Sequence, residues 1–141
     1  VTSLERKAHE TATVIAGGFG VPIAVDEDLR EHERASAGFL PAAQFVQSVE
    51  ELLRSSRELV FGDEAADAVF HRFKGAVDRA RRASPDRDQV VVSHGTAISI
   101  YVGRILGVDP VALWRELRTP TALIMQDGKM ETSIPFGASA R

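Results

Sequence analysis

The sequence contains no cysteine. Disulfides, thiol nucleophiles and cysteine-ligated metals are therefore excluded. No apolar run approaches the roughly 18 residues needed to span a bilayer, and no secretory leader is visible. A basic excess is missing too. Seventeen Lys and Arg against 20 Asp and Glu give a formal charge of −3, which argues against nucleic acid as a partner. The four histidines, His9, His32, His71 and His94, form no His-x-x-x-His pair, so neither a metal nor another cofactor is expected. There is no Gly-x-Ser-x-Gly elbow, no Walker loop and no Gly-x-Gly-x-x-Gly. That weighs against an α/β-hydrolase and against nucleotide cradles of those kinds. No internal repeat or low-complexity linker interrupts the chain. An initiator Met is absent, and Val1-Thr2-Ser3 reads as the tail of a strand running into a helix, so Val1 is not expected to be the natural start. What remains is a soluble, cytoplasmic, single-domain composition over residues 1–141, with 44% hydrophobic residues to build a core.

The pattern alternates helices with short apolar runs. Residues 4–15 space Leu4, Ala8, Ala12 and Ile15 on one helical face, with Ser3 placed to cap it. The glycines at 17, 18 and 20 stop that helix. Val-Pro-Ile-Ala-Val at 21–25 reads as a strand near an edge, since Pro22 cannot donate to a ladder. Residues 26–38 are polar and read as an ordered loop. Helices are expected at 41–53, with a stripe of Phe45, Val49, Leu52 and Leu53, and at 64–83, with Val69, Phe73, Ala76 and Val77 inward. A buried strand at 90–92 leads into a helix at 96–106. A short helix follows Asp109-Pro110. Apolar runs at 122–126 and 130–134 flank Asp127-Gly128-Lys129 as a hairpin. The tail from residue 137 is expected to fray. Strands separated by helices and closed by a hairpin predict an α/β fold, three α/β/α layers on a mostly parallel sheet.

Three stretches can carry chemistry. Val90-Val-Val-Ser-His-Gly95 places His94 where a strand ends and a helix begins, the crevice where open α/β sheets bind ligands. Gly95 and Thr96 there present helix N-terminal N–H groups to an anion. Ser3-Leu-Glu-Arg-Lys7-Ala-His-Glu-Thr11-Ala12 sets Lys7 and Thr11 four apart on one face, and a lysine there can neutralise phosphate as a point charge. Taken alone, that face also reads as solvated charge making weak pairs. Leu29-Arg30-Glu31 puts a carboxylate on a loop above the strand ends. Glu31 there can act as a general acid if burial raises its pKa, although most loop glutamates are simply hydrated.

In their order, these stretches resemble the histidine phosphatase superfamily, the phosphoglycerate mutase-like fold. Its Ser-x-x-x-Arg-Ala-x-x-Thr-Ala is matched by Ser3, Lys7, Ala8, Thr11 and Ala12, with Lys in the Arg place. Its Leu-x-Glu is matched by residues 29–31, and its valine-rich strand and Ser-His-Gly by residues 90–95. The resemblance covers residues 3 to about 121. It implies a metal-free phosphoryl-transfer site acting on a phosphorylated small molecule or inorganic phosphate. His94 would steady the transferring group, Ser3, Lys7, Gly95 and Thr96 would bind its oxygens, and Glu31 would protonate the leaving oxygen.

The attacking histidine of the family lies in an Arg-His-Gly on its first strand, and this sequence contains no Arg-His-Gly. A missing first strand and crossover are therefore expected, leaving sheet edges that invite self-association. Three readings follow: a histidine phosphatase lacking its nucleophile here and so inactive as it stands, a phosphate-binding pseudo-enzyme or interaction module, and an α/β domain whose His94 is structural. Within the family, phosphatase is favoured over phosphoglycerate mutase.

Overall fold

The computed structural model describes residues 1–118, 120–126 and 129–135. Five helices and one hairpin follow in order: α1 (Arg6–Phe19), α2 (Ala42–Arg54), α3 (Ala66–Ala83), α4 (Gly95–Leu106), α5 (Pro110–Glu116), β1 (Thr121–Gln126) and β2 (Lys129–Pro135). Short 3-10 turns at Glu27–Leu29 and Ala35–Ala37 order the polar stretch between α1 and α2. Every helix anticipated from apolar spacing is present within a few residues. The start of α1 differs: Glu5, not Ser3, is its N-cap, and Ser3 Oγ instead accepts from the Glu5 N–H at 3.2 Å.

The core lies among α2, α3, α4 and α5. Val49 and Leu52 of α2, Val69 and Phe73 of α3, and Ala97 and Ile100 of α4 are almost completely buried. Phe73 and Tyr101 meet with ring centroids 4.9 Å apart. Gly103 lets α5 approach α4, since a Cβ there would meet Pro110 Cβ at 2.9 Å. Leu29 plugs the same core from the loop and is wholly buried. Helix α1 buries Ala8, Ala12 and Ala16, a narrow alanine face that needs little room, while Leu4, at its start, is 54% exposed.

The sheet departs from expectation. Residues 21–25 and 90–92 do not form full strands; each contributes one parallel bridge, Val25 and Val92, to Thr2 between them. Thr2 N–H donates to Ala24 O, and Thr2 O accepts from Asp26 N–H, both at 2.9 Å. On its other side Val92 N–H donates to Val1 O and Ser3 N–H to Val92 O, both at 3.0 Å. The extended segments therefore run in the order 24–26, 1–3, 90–92. The central one contributes three residues before the chain turns into α1, so neither neighbour pairs far along its length. Pro22, lacking an N–H, adds nothing to the ladder.

A three-layer α/β/α arrangement on a mostly parallel sheet is thus not what the described residues display. Their only multi-residue ladder is the antiparallel β1–β2 hairpin. Its turn residues 127 and 128, and the tail from 137, lie outside the described residues. No described helix is long and apolar enough to cross a membrane.

Candidate functional site

The valine run at 90–92 lies beside residues 1–3, so the chain that follows it, Ser93-His94-Gly95, is brought against the start of α1. His94 Nε2 and Ser3 Oγ share a hydrogen bond at 3.1 Å. The His94 side chain is 11% exposed, and Glu5 Oε1 stands 3.6 Å from the same nitrogen. Two of the three motif stretches, 91 residues apart in sequence, thus meet at one imidazole.

The third stretch joins from above. Ser93 Oγ donates to Leu29 O at 2.6 Å. Glu31 N–H donates to Glu5 Oε1 at 2.7 Å. The Glu31 carboxylate then turns onto the N-terminus of α4, accepting from Ala97 N–H at 3.1 Å and, more weakly, from Thr96 N–H at 3.4 Å. It also accepts from His32 N–H at 2.9 Å. His94, the N-cap of α4, makes no side-chain cap of its own. Glu31 supplies that cap from a distant loop, where a negative charge suits the positive end of the helix.

Ser3, Glu31, His94 and Thr96 therefore come together, all buried or partly buried. Gly95 opens α4 on the same spot, and a Cβ on it would lie 3.9 Å from the Trp114 indole. Lys7 is not drawn in. It is exposed in the first turn of α1, and among the described residues its side chain makes no hydrogen bond or ion pair. Thr11 Oγ1 bonds the Lys7 carbonyl rather than anything at the site.

Three residues in this network carried no sequence signal. Glu5 links His94 to the Glu31 backbone. Arg72 on α3 holds the loop itself: its guanidinium donates to the carbonyls of Asp28 and Arg30 at 2.8 Å, to that of Glu31 at 3.0 Å, and to the Glu64 carboxylate. The Arg72 and Glu64 side chains are only 9% and 10% exposed. Burial pushes the Glu64 pKa up, but its hydrogen bonds from Arg72 and from Glu33 N–H outweigh burial and leave it below the ordinary glutamate value. Farther out, Arg79 clamps Asp26 and Asp28, and hydrogen bonding to it lowers the Asp26 pKa. His32 is buried with Nε2 donating to Glu64 O at 2.9 Å, which leaves Nδ1 without a partner. Among the described residues no three His, Asp or Glu are grouped as metal ligands.

Comparison with known proteins gives this geometry a context. The profile of the histidine phosphatase superfamily (branch 1) matches residues 1–129. The chain is similar to the uncharacterized phosphatase PhoE of Bacillus subtilis (strain 168), at 26% identity over 78% of this chain and 54% of the relative. Among solved structures it resembles a mycobacterial glucosyl-3-phosphoglycerate phosphatase in complex with inorganic phosphate. That match has 29% identity and a TM-score of 0.59, over 83% of this chain and 62% of the other. The same phosphatase with VO3 matches at 27% identity and a TM-score of 0.59, over the same shares. A protein described as mycobacterial hydrolase 2 shares the fold, with a TM-score of 0.65 at 22% identity over 81% of this chain and 54% of that one. The chain spans between about half and three-fifths of the length of these relatives.

Proposed function

Because the chain belongs to the histidine phosphatase superfamily (branch 1), we propose that it is the phosphate-holding part of a phosphomonoester hydrolase working through a phosphohistidine. The observation that carries this is the convergence of Ser3, Glu31 and His94 at the N-terminus of α4. In this reading the phosphoryl group sits between the His94 imidazole, the Ser3 hydroxyl and the N–H groups of Gly95 and Thr96, with Lys7 swinging in as a point charge. Phosphoryl transfer asks little more than such positioning and charge stabilisation. Glu31 leaves its cap, takes up a proton from solvent and gives it to the leaving oxygen. The attacking imidazole belongs to an Arg-His-Gly strand, which these 141 residues do not contain. With that strand in place, residues 1–3, 24–26 and 90–92 form one flank of a parallel sheet, in a single domain.

The two structures of one similar phosphatase, with inorganic phosphate and with VO3, support a phosphate-type ligand. The experiment is a thermal melt of the 141-residue protein with inorganic phosphate or orthovanadate. At about 100-fold over Kd the midpoint should rise by about 9 °C, less in Lys7→Ala and not at all in His94→Ala. An unchanged midpoint at saturating anion would leave His94 as a structural residue. The same protein should not hydrolyse p-nitrophenyl phosphate. Turnover abolished by His94→Ala would mean that a nucleophile is present after all.

A further inference from the structure

Beside the proposed site lies an open groove of about 640 Å³ between the 34–40 turn, the start of α2 and Phe61. Phe39, Leu40, Phe45 and Phe61 give it its walls, and Arg34 is the one polar side chain lining it. Two chains of contact tie it to the site. Phe45 packs against Trp114 with ring centroids 6.5 Å apart, and the Trp114 indole faces Gly95 at the start of α4. On the other side Phe61 packs against the His32 ring at 5.6 Å, and the His32 N–H donates to the Glu31 carboxylate. Packed side chains thus place the groove next to both the α4 N-terminus and Glu31.

Its chemistry is selective. Phe39 is 99% exposed, so its ring is fully available to an occupant. Arg34 lies 5.2 Å over the Phe45 ring and makes no ion pair among the described residues. It offers a flat cationic face to a second aromatic ring. A sugar or glycerate in the same place would find one guanidinium for all its hydroxyls and leave the rest unpaired. An apolar body loses nothing there and gains from every ring it covers.

We infer that the groove receives the apolar, preferably aromatic, alcohol portion of the phosphomonoester; this rests on the proposed phosphate site and names its substrate class. Phe39, Phe45 and Arg34 then act as specificity-determining residues, and the phosphoryl group reaches toward Gly95 and His94.

Binding alone tests this, with no turnover required. Isothermal titration compares inorganic phosphate, benzylphosphonate as a non-hydrolysable aryl analogue, and 2-hydroxyethylphosphonate as a polar one. Benzylphosphonate should bind about tenfold tighter than the other two. Phe39→Ser, on a side chain that supports no core, should erode that preference while leaving the affinity for inorganic phosphate unchanged, and Phe45→Ala should erode it further. Equal affinity for all three ligands, or a preference that survives both variants, overturns the groove assignment and leaves the phosphate site standing. Failure of all three to bind overturns the phosphate site and the groove with it.

Discussion

Arg72 spends its whole guanidinium on one task, the carbonyls of residues 28, 30 and 31 and the Glu64 carboxylate. Glu64 titrates below the ordinary glutamate value of about 4.3. Its ionised form therefore adds stability above that ordinary value, and the contribution is lost as pH falls through the lowered folded value. Arg72→Met leaves the buried carboxylate without its guanidinium, held only by the Glu33 N–H, a loss of about 3–5 kcal/mol. Without the guanidinium, burial opposes the charged form more strongly, so the variant should lose less stability than the parent as pH falls. Urea unfolding from pH 7 down to pH 3 checks this, and parallel pH profiles for the two proteins would contradict it. His94 was legible because a strand, a small turn and a helix start are local features of sequence. Arg72 was not, because its partners are backbone carbonyls, which look the same at every position.

At the scale of elements, the helices were legible and the parallel strands were not. Helices α2, α3 and α4 follow an apolar spacing that each segment carries within itself. The runs at 21–25 and 90–92 have strand composition, yet their pairing depends on Thr2, tens of residues away, and Thr2 offers each of them a single bridge. The loop over the site depends on a turn that composition barely marks. Gly62 has φ +71°, and a Cβ there would meet Glu33 O at 2.5 Å, Arg34 Cβ at 2.8 Å and His32 Cε1 at 2.8 Å. This close approach lets Asp63 N–H donate to Glu33 O at 2.8 Å and seats His32 and Glu33 beside Glu64. Gly62→Ala should destabilise the protein by about 1–3 kcal/mol. An unaltered urea midpoint would count against this account of the turn.

For the whole molecule, the extended segments leave backbone without partners among the described residues on the outer sides of 24–26 and 90–92. Val21, Ile23 and Val25 are exposed along the first of these edges, and Val90 is 53% exposed on the second. Unpaired extended edges bearing apolar side chains recruit further strands. We expect a second copy of the chain to cover the 24–26 edge. Sedimentation velocity should show a dimer growing with concentration, suppressed by Ile23→Lys. A monomer at every concentration would contradict it. The family resemblance implied open edges in general terms; which segments form them follows from the central place of residues 1–3.

The cap that Glu31 makes on α4 has one more consequence. It is a resident anion, competing for the same amide hydrogens that a phosphoryl group would use at Thr96. Any affinity measured for phosphate is then the intrinsic affinity scaled by the fraction of molecules in which Glu31 has already swung away. In the proposed chemistry that displacement also frees the carboxylate to take up the proton it passes to the leaving oxygen. The ligand's arrival and the release of its proton donor would be one event, with a single occupancy shared between two anions.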